Sequence, residues 1–209
     1  MLHHLAWDKL RKLNLIKWLK HLLNNRTDHF PQFHSVVNFV IMTEIETHPF
    51  EAYVPANASV LIVGSFPGKG QAEEKLKENH WFYGAKRNQF WSIISDVYNV
   101  ELKTTESKKK LFSDKGIAIA DIFLKVRRKE NNNTDDNLEV IQYNDEAIKK
   151  ILQTTPFELI LFTSKFVEKH FLKLFPAVVN GQYLPSPSPR YARITKAEKV
   201  TFYKNKLPK

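Results

Sequence analysis

Val60-Leu61-Ile62-Val63 is a run of four aliphatic residues with no polar position between them. That is the pattern of a strand buried on both faces of a parallel sheet. The run breaks at Gly64-Ser65-Phe66-Pro67-Gly68, where two glycines and a proline within five residues force a tight turn. Two later runs repeat the pattern: Gly116 to Phe123 is an apolar strand that meets an acid at Asp121, and Glu158 to Ser164 ends in two hydroxyls. Elsewhere the period is helical. Gln89 to Val97 sets Phe90, Ile93, Ile94 and Val97 on one face, and Asn144 to Leu152, Lys165 to Phe175 and Lys196 to Tyr203 read as further helices. Lys108-Lys109-Lys110 is expected on an exposed helix before Gly116, and Gln182-Tyr183-Leu184 leads into a proline-rich loop. Lys125 to Asn137 is expected to be a polar loop, basic at its start (Lys125, Arg127, Arg128, Lys129) and asparagine-rich in its middle. Alternating strands and helices predict an α/β fold, a three-layer sandwich with a short central parallel sheet flanked by helices. In open sheets of this kind ligands bind beyond the carboxyl ends of the strands, which points to the turn at residues 64 to 68.

With 209 residues, one main domain with a sizeable core is expected. The formal charge of +10 favours a polyanionic partner. The chain has no cysteine, which excludes disulfides, thiolate zinc and cysteine-ligated iron–sulfur clusters. It agrees with a reducing cytosol, and a cytoplasmic location is expected. No run approaches the ~18 apolar residues that span a membrane. His80 and His170 have no partners at metal-ligand spacing.

His80 to Trp91 places five aromatics, two cations and two amides in twelve residues. A buried core would not hold so many polar groups, nor a solvated loop so many rings. A pocket needs both. A strand ending in a Gly-x-x-Pro-Gly turn, followed by Arg87-Asn88-Gln89-Phe90-Trp91 at a helix start, resembles the uracil-DNA glycosylase superfamily. The nearest resemblance is to its mismatch-type and hypoxanthine-DNA glycosylase branch. Leu184-Pro185-Ser186-Pro187-Ser188-Pro189-Arg190 resembles the family's second signature, a Pro-Ser loop that presses on the DNA backbone. The ordered pair covers the chain from about Ile45 to Lys204. Met42-Thr43-Glu44-Ile45-Glu46 resembles the start of such enzymes, so residues 42 to 209 are read as the single glycosylase-like domain. Residues 1 to 41, with six Lys/Arg against two Asp and a helical leucine repeat from Leu2 to Leu23, are read as a basic extension upstream of a native start at Met42. A membrane- or DNA-surface helix and a packing element are the other readings of that stretch.

The resemblance implies a monofunctional DNA glycosylase of base excision repair. It would flip a deaminated base, hypoxanthine or uracil, out of double-stranded DNA and hydrolyse its N-glycosidic bond. It would act as a monomer, with no metal and no cofactor. The bond breaks with positive charge growing on the sugar and negative charge on the base, so the site needs fixed donors, a stacking ring and a positioned water. Asn88 is the first candidate to orient that water or touch the base, because an amide both donates and accepts. Its alternative role is to cap the following helix. Ser65 and the backbone of Gly64, Phe66, Pro67 and Gly68 are candidate contacts to the base or its developing charge. Phe66 stands where relatives carry an acid or amide, which shifts the load to Asn88. Tyr83 resembles the ring on which the base stacks, while Trp81, Phe82, Phe90 and Trp91 are read as core. Ser164 matches a base-reading position, or is a strand-end serine with no role. Asp121 is either a carboxylate near the sugar or a turn acceptor. Pro185, Ser186, Pro187, Ser188 and Arg190 are expected on the DNA backbone, with Lys86, Arg87, Arg127 and Arg128 as further phosphate contacts. No motif lysine is placed as a Schiff-base nucleophile, with Lys86 the one to watch. The rival reading is a DNA- or nucleotide-binding module that keeps the fold without the chemistry, a reading that Phe66 favours.

Overall fold

The computed structural model describes residues 44–69, 80–129 and 134–209. The extension at residues 1–41 and the start at Met42 lie outside them. After a short strand β1 (Ile45–Thr47), the apolar run forms β2 (Val60–Gly64), all five of whose residues are buried. It pairs in parallel with β3 (Ile117–Asp121) on one side and, among later strands, with β6 (Leu159–Phe162) on the other. A three-residue strand β7 (Gly181–Tyr183) extends the sheet beyond β6, giving the order β3-β2-β6-β7. Its shortness leaves no periodicity to read.

Five helices are described: α1 (Phe90–Tyr98), α2 (Thr105–Asp114), α3 (Asp145–Thr154), α4 (Lys165–Leu174) and α5 (Lys196–Lys204). Because strand side chains alternate, Val60 and Ile62 pack on Phe90, Ile93 and Ile94 of α1, Phe112 of α2 and Tyr203 of α5. Leu61 and Val63 pack the other way, on Ile148 of α3 and Val167 and Phe171 of α4. Helices on both faces make the three layers, and each buried aliphatic or aromatic side chain contributes about 1.5–3 kcal/mol. Trp81, Phe82, Phe90 and Trp91 all lie in the first of these cores.

Two sequence expectations are corrected. The stretch from Lys125 is not a loop: β4 (Phe123–Arg128) and β5 (Leu138–Tyr143) are antiparallel strands that form a second sheet with β1, in the order β1-β4-β5. A bulge in β4 shifts the register around Lys125, so Phe123 and Val126, an odd number of residues apart, are both buried and the alternation is hidden. The lysine triplet does lie on α2, but Lys108 is buried, with Nζ 5.2 Å from the Trp91 ring centre. Burial lowers its pKa.

Candidate active site

The carboxyl ends of β2, β3 and β6 open into a cavity of about 520 Å³, within the roughly 300–1,000 Å³ of small-molecule pockets. The first turn supplies Ser65, Phe66, Pro67 and Gly68, the second strand Asp121, and the end of β6 Thr163 and Ser164. Tyr83, Arg87 and Asn88 come from the aromatic stretch, and Ser186, Pro187, Ser188, Pro189, Arg190 and Tyr191 from the proline-rich loop. The two signatures are thereby brought together. Gly64, Lys86 and Pro185 are not part of the cavity lining. Gly64 stands directly behind it: a Cβ there would lie 2.3 Å from both Asp121 Oδ1 and Tyr83 Oη. That close approach requires glycine.

The floor is buried and preorganised. Asp121 Oδ2 lies 2.9 Å from Nε2 of His48, whose side chain is 1% exposed. The other ring nitrogen, Nδ1, lies 2.7 Å from the Phe50 carbonyl and 3.1 Å from the Phe50 N–H, so both edges of the ring are held. Asp121 Oδ1 is buried with no hydrogen-bond partner. Thr163 donates its hydroxyl to the Val63 carbonyl, so the Tyr83 hydroxyl, 3.0 Å away, is placed to donate to Thr163. Burial first, and then the neighbouring Asp121, hold the Tyr83 phenol well above its usual pKa, which keeps it neutral. Its ring stacks on Phe90 with centroids 4.1 Å apart, so one face is already covered. Tyr83 adopts φ 55, a left-handed conformation held by this packing. Phe66 sets its ring at right angles to His48, with centroids 5.5 Å apart.

The wall holds Asn88 and the two serines. The Asn88 side-chain oxygen accepts the Phe90 N–H, the first of α1, at 2.9 Å from the position before the N-cap Gln89, and this bond fixes the amide plane. The amide NH₂ and a second oxygen lone pair are not used by that bond, so it is compatible with ligand contact. Ser65 donates to Asp135 Oδ1 at 2.7 Å, and Ser164 donates to Asp135 Oδ2 at 3.4 Å. Ser164 also caps α4, accepting the Val167 N–H at 3.1 Å. Burial raises the Asp135 pKa, against the two serine hydrogen bonds that lower it.

The proline-rich loop is clamped from behind. Gln89 N–H donates to the Pro187 carbonyl, and the buried Lys199 ammonium donates to Gln89 Oε1 at 2.9 Å and to the Ser188 carbonyl at 3.2 Å. The Tyr203 hydroxyl donates to the Pro185 carbonyl. Ser186 and Ser188 each accept the N–H two residues on, and Arg190 points the loop's charge into solvent. Arg127 and Arg128, expected on phosphates, are engaged elsewhere. Arg128 is buried against Glu46 and the Pro67 carbonyl, and Arg127 pairs across the strands with Glu139. Two residues escaped the sequence reading. His48 is an isolated histidine 73 positions from Asp121, and Asp135 sat inside what read as a polar loop. Neither carries a local signal.

The match to a family model agrees with this arrangement. Residues 51–207 match the model described as uracil DNA glycosylase superfamily, and the chain belongs to that superfamily of DNA glycosylases. A hypoxanthine DNA glycosylase from Methanosarcina barkeri is 27% identical over 118 residues, 56% of this chain and 70% of that protein. A solution NMR structure from Methanosarcina acetivorans, described as that of a candidate uracil DNA glycosylase, has a similar fold. Its TM-score is 0.61 at 21% identity, over 78% of this chain and 98% of that one. Among the described residues no helix is long and apolar enough to cross a membrane, and no three His, Asp or Glu are grouped to hold a metal ion.

Proposed function

We propose that this DNA glycosylase removes a deaminated base from double-stranded DNA, with hypoxanthine ahead of uracil. The observation that carries the reading is Asp121, a residue of the cavity lining whose buried Oδ1 has no protein partner. Such an oxygen accepts hydrogen bonds and, when ionised, donates none. Hypoxanthine and uracil present a ring N–H beside a carbonyl, whereas adenine and cytosine present a lone pair there. The oxygen therefore rewards the deaminated base and penalises its parent amine, by the cost of an unmade buried hydrogen bond. The likeness to a hypoxanthine DNA glycosylase, and Phe66 in place of a polar group in the first turn, favour the purine. Asn88 orients the attacking water, Tyr83 supports the flipped base, and Arg87, Arg190 and the Ser186–Ser188 backbone meet phosphates.

The test is incubation with duplexes that carry one hypoxanthine, uracil, adenine or cytosine at a defined position, followed by alkali. Strand breaks that need the alkali step, fastest with hypoxanthine and absent with adenine, are expected of a monofunctional enzyme. Tight binding with no release from any base would overturn the reading in favour of the module without chemistry.

A further inference from the structure

Asp135 has no part in the chemistry described so far, yet it forms part of the cavity wall. It comes from a single 3₁₀ turn, Asp135–Asn137, just before β5. Its two oxygens differ. Oδ1 takes a short hydrogen bond of 2.7 Å from Ser65, while Oδ2 takes only a long one of 3.4 Å from Ser164. Ser164 is in turn anchored by the Val167 N–H, so the cradle is rigid. A carboxyl held this way keeps Oδ1 as the acceptor and leaves Oδ2 as the oxygen better able to carry a proton into the cavity. No other acid of the cavity has these features together: Asp121 has one oxygen on His48, and Asp136 is the next residue of the same turn.

A purine leaving group has a need that uracil does not share. Uracil departs as an anion with charge spread over two carbonyls, whereas a purine leaves most easily once N7 takes a proton. We propose that Asp135 is the general acid that protonates N7 of the departing purine. This rests on the purine reading of the same cavity and adds a catalytic residue to it. In the step the Asp135 O–H bond breaks and an N7–H bond forms. The C1′–N9 bond breaks with its electron pair staying on the base, which leaves as neutral hypoxanthine. Water adds its oxygen to C1′, and its released proton returns through solvent to the Asp135 carboxylate. Atoms and charge balance with water as the co-reactant.

The charged groups around the cavity set the direction of the pH dependence. Burial raises the Asp135 pKa most, and Asp121 and Asp136 raise it further, while the Ser65 and Ser164 hydroxyls oppose them. Arg128 across the cavity is tied to Glu46 and the Pro67 carbonyl, and Arg87 and Arg190 are exposed. Because the protonated form is the active one, release of hypoxanthine is highest on the acid side. It falls as pH rises through this raised pKa.

The experiment measures single-turnover base release across the acid and neutral range. The substrates are duplexes carrying hypoxanthine or 7-deazahypoxanthine, in which a C–H replaces N7. For hypoxanthine, Asp135→Asn should slow release by about 10²- to 10⁴-fold and flatten the pH profile. For 7-deazahypoxanthine, wild type and Asp135→Asn should release the base at the same slow rate, and no detectable release by either is that result at its limit. The wild-type comparison of the two bases is independent of how the variant folds. The proposal fails if Asp135→Asn keeps the wild-type rate and pH dependence, or if it loses equally on both bases. Absence of any release by wild type from every duplex would instead sink the glycosylase reading itself.

Discussion

At the floor of the cavity Asp121, His48, Tyr83 and Thr163 are held by buried hydrogen bonds, whereas at its rim Arg87, Pro189 and Arg190 stand in solvent. The floor is built on the ends of parallel strands whose register is set by the core, so its groups cannot relax around a missing partner. The rim is built on loops, and its charges act through a solvent that screens them. The loop itself is not slack, because Lys199, Gln89 and Tyr203 pin its backbone. What differs is where free energy depends on geometry. Removing a floor or wall group should change which base is cut and how fast, and removing a rim charge should change how tightly any DNA is held.

Substitutions along this gradient should show effects that shrink from wall to rim. Of the changes at Asn88, Asp121, Gly64 and Arg190, Asn88→Ala should have the largest effect, cutting the rate of base release by about 10²- to 10³-fold. DNA affinity measured on an undamaged duplex should stay unchanged, and an equal loss of affinity would erase the distinction between wall and rim. Asp121→Ala should lower the discrimination between hypoxanthine and adenine by about 10- to 100-fold, as read from the ratio of release rates or of binding to the two duplexes. A variant that is slower but equally selective would remove Asp121 from base reading. Gly64→Ala tests the packing of the floor rather than its chemistry. Its Cβ would sit 2.3 Å from two buried polar atoms, so overpacking should cost about 1–3 kcal/mol in urea unfolding. An unchanged midpoint would mean that Asp121 and Tyr83 can give way. Arg190→Ala should have the smallest effect. It should weaken binding about equally on all sequences and make the slope of log K against log salt shallower by about one, with the rate from the bound state unaltered.

The second sheet and the Asp135 cradle show where local pattern stops being informative. Four apolar residues in β2 announce a buried strand because every one of them is inside. In β4 charged and apolar residues alternate around a bulge, and Arg128 is inside only because Glu46 and the Pro67 carbonyl meet its guanidinium. A basic stretch of this kind reads as solvated until its partners, 61 and 82 residues away, are known. The same holds for Lys108 under α2, an ammonium that reads as exposed and packs against Trp91.

By itself the sequence determined the parallel sheet, its flanking helices, and the two signatures of a DNA glycosylase. Each of these is written in residues that are neighbours along the chain, where period, turn chemistry and capping act over a few positions. Only the tertiary structure decided that Asp121 keeps one oxygen bare while His48 holds the other, and that Ser65 and Ser164 both donate to Asp135. Those pairs lie 73, 70 and 29 residues apart. Whether they meet depends on strand register and crossover paths, and a shift of one residue in either would turn the side chains to the opposite face.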